Sequence, residues 1–381
     1  MAYLDHNATS PLRAEAIAAA ERALAVCGNA SSVHAGGRAA RTLIEDAREK
    51  VAALAGARSQ DVIFTSGGTE ANALALWGAV HGALDASARI TRLFVSAIEH
   101  ESVRANAAAL AERVPGLRLE IIPVSADGIV DLEALRVMLR EGKGRTLIAL
   151  MAANNETGVV QPIQDAAELA REANALLFVD AVQAAGKMAM PQADYVSISA
   201  HKIGGPQGAG ALILRDGAPF AAQILGGGQE RSRRAGTENL VGIAGFGAAA
   251  DSALRDMDRM AETAKLRDAF EGGLRRLSPD VEIFGVRASR LTNTSNFALP
   301  GLSAENALMA LDLDGVMLST GAACSSGKVK PSSVLAAMGV REDIARNALR
   351  ASFGWNSRGA DGDAALDSLS KLLARRRARA A

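Results

Sequence analysis

The sequence predicts an α/β protein with a large domain, built on a mostly parallel sheet sandwiched by helices, and a smaller α+β domain. Three observations carry this. From about residue 61 to residue 214, strand-like and helical segments alternate at the spacing of βαβ units. Several strand runs, Leu176–Asp180 (LLFVD) among them, are almost continuously apolar, as strands covered on both faces are. The chain has 381 residues, 49% of them apolar, enough for two domains at about 150 residues each and for a substantial core.

The elements follow in order. Pro11–Val26 reads as an alanine-rich helix, with Ser10 as N-cap and Pro11 at the first position. Ala39–Ala55 is a second helix. Asp61–Thr65 is a strand that stops at Ser66-Gly67-Gly68-Thr69, and a helix follows from Glu70. Strand Arg92–Ser96, helix Ser102–Arg113, strand Leu119–Val124, helix Leu132–Arg140 and strand Thr146–Ala152 continue the alternation. Helix Asp165–Asn174 and strands Leu176–Asp180, Tyr195–Ser199 and Gly210–Leu214 complete it. After about Arg255 the texture changes. A long helix Ala261–Arg276 precedes strands Val281–Phe284 and Thr294–Ala298, helix Ala304–Leu311, the stretch Gly315–Ser319, a loop with Cys324 and two further helices. The large domain is placed at 15–257, and residues 1–14 with 258–381 form the small one. There is no internal repeat and no low-complexity linker.

Composition excludes several classes. Lys+Arg and Asp+Glu are 42 each, so the formal charge is zero, without the basic bias of a nucleic-acid binder. The two cysteines, Cys27 and Cys324, build no disulfide framework, which places the chain in a reducing cytoplasm. The first residues carry charge where a signal peptide is apolar, and no long apolar run offers a membrane span. The Arg-rich tail from Arg375 reads as a solvated helix end.

Polar residues collect at strand ends, the edge where open α/β sheets bind ligands. The turn Thr65 to Glu70 joins a strand to a helix. Its glycines suit either an anion at a helix N-terminus or an ordinary turn. Asp180 ends a strand, as a metal ligand, a ribose binder, the partner of a protonated ring nitrogen, or a helix N-cap for the residues that follow. His100 and Asn155 follow two further strands, as site groups or as satisfied loop residues. Lys202 lies just past Tyr195–Ser199, between His201 and glycines, where a desolvated lysine can act as a Schiff-base nucleophile. Cys324 sits among small residues, the setting of an accessible thiol, whereas Cys27 beside Gly28 reads as structural. Arg350 interrupts an apolar run and needs a partner, either a substrate carboxylate or an internal acid.

Taken together, the segments resemble cysteine desulfurases of the NifS/IscS-like group, fold-type I pyridoxal-phosphate enzymes of the class V aminotransferase superfamily. The resemblance spans Tyr3-Leu4-Asp5-His6-Asn7-Ala8-Thr9, Gly28 to His34, Phe64 to Asn72 (FTSGGTEAN), Asn154 to Gly158 and Val179 to Lys187 (VDAVQAAGK). It continues through His201-Lys202, Arg234 to Asn239 (RAGTEN), the Cys324 loop and Arg350. It implies pyridoxal 5'-phosphate as cofactor, joined to Lys202. Asp180 would pair with the ring nitrogen and His100 would stack on the ring. Gly68, Thr69, Ser199 and His201 would hold the phosphate, and Asn155 and Gln183 would lie near the ring hydroxyl. Thr237 would reach the phosphate of a neighbouring subunit, which implies a homodimer with shared active sites. Arg350 and Asn155 would hold the carboxylate of L-cysteine.

The resemblance also implies the chemistry. Lys202 removes the α-proton and Cys324 attacks the substrate sulfur. Alanine leaves, and the persulfide passes to a sulfur-acceptor protein such as an iron-sulfur scaffold, for iron-sulfur cluster or other sulfur-cofactor assembly. The family's usual Ser-Gly-Ser-Ala-Cys-Thr-Ser is Ser-Thr-Gly-Ala-Ala-Cys-Ser-Ser here, with the nucleophile in place. The RAGTEN stretch is closer to nitrogen-fixation-type members, and the Arg-rich end differs from the segment with which housekeeping members dock a scaffold. The alternatives are a selenocysteine lyase or a class V transaminase, the latter needing no thiol, and a non-catalytic scaffold on the same fold.

Overall fold

A computed structural model describes residues 1–83, 89–320 and 331–380. Within them the chain runs β1 (Ala2–Tyr3), α1 (Ala14–Leu24), α2 (Ala35–Ala55), β2 (Val62–Thr65), α3 (Gly68–Gly82), β3 (Ile90–Ser96), α4 (Glu101–Arg113) and β4 (Arg118–Ile122). It continues with α5 (Leu132–Glu141), β5 (Arg145–Met151), α6 (Ile163–Glu172), β6 (Leu176–Asp180), β7 (Tyr195–Ser199), β8 (Gly210–Leu214) and α7 (Leu240–Arg255). The last part comprises α8 (Met260–Leu277), β9 (Glu282–Ile283), β10 (Thr294–Ala298), α9 (Ala304–Leu313), β11 (Val316–Met317), α10 (Ser333–Ala337), α11 (Glu342–Ala345), β12 (Ala348–Ser352) and α12 (Gly359–Ala380).

The central sheet has seven strands in the order β2-β8-β7-β6-β5-β3-β4. All its pairings are parallel except those of β8, which runs against both β2 and β7. Apolar strand residues serve both faces in alternation. Phe64, Ile148, Leu150, Leu177 and Val179 pack under α1, α2, α5, α6 and α7. Ile63, Leu147, Leu176 and Phe178 pack under α3 and α4. A strand covered on both sides has no polar face to show, which is why these runs lack alternation in the sequence.

The C-terminal part builds a three-stranded antiparallel sheet, β12-β10-β9, over a core that includes Phe270, Phe297, Leu349 and Phe353. The N-terminus joins it: β1 pairs in parallel with β11, and Leu4 is buried in the same cluster. The predicted strand Val281–Phe284 shrinks to two residues, and within the stretch Gly315–Ser319 only Val316–Met317 is a strand.

Three sequence readings need correction. The first helix starts at Ala14 with Arg13 as N-cap, because Ser10 is already committed elsewhere. Its amide donates to the His201 carbonyl (2.8 Å) and its hydroxyl lies 2.7 Å from His6 Nδ1. Cys27 is exposed in the chain described here, so it is not a packing residue. Helix α7 was not anticipated at all. Its glycines lower helix propensity, yet Gly247 lets α7 approach α2 closely: a Cβ there would lie 2.5 Å from Ala47 Cα.

That close approach gives a signed prediction. Gly247→Ala gains helix propensity, at most about 1 kcal/mol, but overpacks a backbone contact, which costs about 1–3 kcal/mol. The variant is expected to melt several degrees below the parent by calorimetry. An equal or higher melting temperature would show that α2 and α7 part without cost.

Candidate active site

Strands β2, β3, β5, β6 and β7 all end on one edge of the sheet, and that edge floors a cavity of about 540 Å³. Gly68, Thr69, His100, Asn155, Asp180, Gln183, Ser199, His201, Lys202 and Arg350 line it, so ten sequence-predicted residues meet in one place. Leu308, Leu318, Ser319 and Thr320 close the opposite wall from the C-terminal part. Thr237 is exposed and does not line this cavity. Cys324 lies outside the described residues.

One end of the cavity is shaped for an anion. Thr65 Oγ1 donates to the Gly67 carbonyl (2.9 Å), closing the turn that opens α3 at Gly68. Two glycines make the turn fit. A Cβ on Gly210 would meet the Gly67 backbone at 2.6 Å, and one on Gly68 would meet Val182 Cγ2 at 2.8 Å. The first turn of α3 therefore faces the cavity beside Ser199, whose buried Oγ has no partner. His201 Nδ1 is 3.2 Å from Thr9 Oγ1, and burial, with the charges of Lys202 and Lys187, lowers its pKa to about 4. The turn is braced from behind. Glu70 accepts from the Ser66 amide (2.8 Å) and from Arg234 Nε (2.8 Å), which ties the RAGTEN stretch to it.

The floor carries a single oriented carboxylate. Asp180 Oδ1 accepts from the Val182 amide (3.0 Å) and Oδ2 from Asn72 Nδ2 (2.8 Å). Capping the turn and facing the cavity are thus compatible, one oxygen serving the turn. Asn72 Nδ2 also donates to Ser102 Oγ (2.9 Å), and its Oδ1 accepts from Ser197 Oγ. Ser102 Oγ lies 2.7 Å from His100 Nδ1, and the Ser102 amide donates to the same nitrogen (3.2 Å). That bond leaves the proton of the neutral His100 ring on Nε2. Asn72 therefore joins Asp180 to His100. The sequence reading did not assign it, although it lies one helical turn beyond Gly68, on the same face.

Glu99 was also unassigned. It is 2% exposed and closes the gap between β3 and β5. Its Oε1 accepts from Ser96 Oγ (2.5 Å) and from the Met151 amide (2.7 Å), while Oε2 has no partner. Burial raises its pKa to about 8; the Ser96 and Met151 bonds oppose this and the Asp180 charge adds to it. A protonated Glu99 leaves the negative charge to Asp180.

The amine wall is built on the N-terminal turn. Lys202 Nζ donates to the carbonyls of Asn7 (2.6 Å) and Ala8 (2.8 Å). Burial, then Arg350, lower its pKa to about 8, against the pull of Asp5 and Asp180. Arg350 Nη2 pairs with Asp5 Oδ1 (2.6 Å) and Nη1 donates to the Asn155 carbonyl (2.9 Å), while its buried Nε has no partner. The internal acid foreseen as an alternative is present, yet Arg350 still lines the cavity. The arrangement can hold an anion at one end, a cationic ring nitrogen at Asp180, and an exchangeable proton at Lys202 between them.

Comparisons with known proteins show what the whole chain is similar to. The family model described as Aminotransferase class-V matches residues 2–364. The chain is 40% identical to the cysteine desulfurase IscS of Dictyoglomus turgidum, over 97% of this chain and 94% of that one. It is 39% identical to the IscS-like cysteine desulfurase of Mycobacterium tuberculosis, over 99% and 97%. Among solved structures, the NifS-like protein of Rickettsia africae superposes with a TM-score of 0.87 at 32% identity, covering 98% of this chain and 99% of that one. Among the described residues no helix is long and apolar enough to cross a membrane, and no cluster of His, Cys, Asp and Glu suits a metal ion.

Glu99 makes the stability depend on pH. In the unfolded chain it ionises near 4.5, in the fold near 8, so between these values the folded form binds more protons and rising pH costs stability. Glu99→Gln cannot ionise. Its melting temperature relative to the parent is expected to rise from pH 5 to pH 9. A difference that stays constant with pH would show that Glu99 is ionised in the fold.

Proposed function

The chain belongs to the class V aminotransferase family and, within it, to the cysteine desulfurases; we propose that it works with pyridoxal 5'-phosphate on Lys202 and with Cys324 as sulfur carrier. Family members are pyridoxal-phosphate enzymes in general. The observation that carries the assignment to this cavity is the pairing of an orphaned Ser199 hydroxyl beside the α3 N-terminus with a desolvated lysine and an oriented Asp180 carboxylate.

The residues fit the cofactor. Gly68, Thr69, Ser199 and His201 would hold its phosphate, Asp180 its protonated ring nitrogen, Gln183 and Asn155 its ring hydroxyl, and His100 its ring face. When bound, the cofactor supplies an electrophilic carbon for the substrate amine and an electron sink for charge developing at the substrate α-carbon. Arg350 holds the carboxylate of L-cysteine, its unpartnered Nε supplying a further donor. Lys202, whose pKa near 8 keeps a fraction unprotonated at neutral pH, takes the α-proton. His100 carries its proton on Nε2 for transfer at the substrate. The Cys324 thiolate attacks the substrate sulfur. An S–S bond forms, the C–S bond breaks with its electron pair left on carbon, and protonation of that carbon gives alanine.

On this reading residues 15–257 hold the cofactor, and residues 1–14 with 258–381 supply Arg350 and the Cys324 loop. Thr237, exposed in its own chain, reaches the phosphate of a second copy in a homodimer. Exposed apolar side chains at Leu24, Val33 and Leu225 supply surface for such an interface. The persulfide passes to a sulfur-acceptor protein for iron-sulfur cluster or related assembly in the cytoplasm.

The purified protein is expected to be yellow and to release alanine and sulfide from L-cysteine with a reductant. Lys202→Ala is expected to be colourless. Cys324→Ala is expected to stay yellow and to lose sulfide release by at least about 100-fold. Arg350→Gln is expected to raise KM for L-cysteine about 10–100-fold, the worth of a charged hydrogen bond. Wild-type sulfide release by Cys324→Ala would refute the persulfide route. Selenocysteine, used far faster than cysteine, would favour the lyase alternative.

A further inference from the structure

Behind the amine wall lies Lys187, which the mechanism leaves without a task. It follows the turn after β6, mostly enclosed by protein, and lines a small cleft behind Lys202 with His6, Arg13 and Trp355. Among the described residues no carboxylate pairs with it; its Nζ donates to Gln183 Oε1 (2.9 Å). Enclosure, with the charges of Lys202 and Arg350, lowers its pKa to about 7. A methionine would fill the same volume without that desolvation cost.

We propose that Lys187 is a positioning residue for the cofactor, acting through Gln183 by locking the orientation of its amide. The geometry decides the orientation. Protonated Lys187 is only a donor and the Asn7 carbonyl only an acceptor, so the atom facing Lys187 is the amide oxygen. The other atom, Nε2, donates to the Asn7 carbonyl (2.9 Å), which also accepts from Lys202 Nζ (2.6 Å). A relay Lys187–Gln183–Asn7 carbonyl–Lys202 results. Gln183 lines the cavity, and with its oxygen held at the back and one N–H on Asn7, its remaining N–H is the group left for a ligand oxygen. Without Lys187 the buried oxygen has no donor. The amide then either bears an unsatisfied acceptor or rotates, which sets oxygen against the Asn7 carbonyl and removes the donor from the cavity.

This inference rests on the proposed cofactor assignment, and a double-mutant cycle separates the two. Dissociation constants for pyridoxal 5'-phosphate are measured by absorbance on the full chain freed of cofactor, for the parent, Lys187→Met, Gln183→Ala and the double variant. Lys187→Met is expected to weaken binding about tenfold in the parent background and less than about twofold beside Gln183→Ala, because contacting residues couple. Lys187→Gln, which retains a donor, is expected to recover most of the loss. Equal effects in both backgrounds, or none in either, would overturn the role of Lys187 while leaving the cofactor assignment intact. Failure of the parent to bind the cofactor would overturn the assignment itself.

Discussion

The turn from Asp5 to Ser10, which buries His6, Asn7 and Ser10, is the constraint on which the site depends. Asn7 is 1% exposed and every polar group it owns is used. Its amide donates to Ser352 Oγ (2.9 Å) and its Nδ2 to Thr294 Oγ1 (2.8 Å), which ties the turn to the C-terminal sheet. Its Oδ1 accepts from Asn293 Nδ2 (2.9 Å). Its carbonyl accepts from Lys202 and Gln183, which ties the turn to the edge of the large sheet. Asp5 adds the ion pair to Arg350, and Ser10 the bond to the His201 carbonyl. A segment with no regular structure of its own thus fixes the lysine, the arginine and the two sheets relative to each other. Buried backbone groups must find partners, and here the partners include side chains that line the cavity.

Charge in the cavity follows from the same enclosure. Cationic groups crowd one wall, Lys202 and Arg350 with Lys187 behind; the Arg350 charge disfavours the protonation of both lysines, and the Lys202 charge adds to this at Lys187. His6 is driven to a pKa of about 3 by burial, Lys187 and Arg13, so it stays neutral beside them. Opposite lies Asp180, held by Asn72 and the Val182 amide, with Glu99 behind it kept protonated. A cofactor with an anionic phosphate and a cationic ring nitrogen complements both sides.

Much of this was legible in the sequence. The strands Leu176–Asp180, Tyr195–Ser199, Gly210–Leu214 and Thr294–Ala298 fall where read; in Leu176–Asp180 and Gly210–Leu214 a continuous apolar run bounded by a polar stop leaves little choice of end. Those polar stops, Asp180 and the His201-Lys202 pair, then mark the sheet edge. What the sequence hid depends on tertiary partners. Ser10 looks like a cap until His201 and His6 claim it. Helix α7 looks too glycine-rich until its packing on α2 is seen. Asn72, Glu99 and Lys187 act through neighbours 30 or more residues away or through a second side chain, which no local pattern reveals. Arg350 is the intermediate case, since a guanidinium in an apolar strand announces a partner without naming it.

On the proposed assignment, of two neighbouring desolvated lysines, Lys202 and not Lys187 carries the cofactor. Borohydride reduction of the yellow protein fixes the cofactor to whichever lysine holds it, and peptide mass spectrometry then reads the position. The pyridoxyl group is expected on the peptide containing Lys202, with the Lys187 peptide unmodified. The group on Lys187, or on neither, would contradict it.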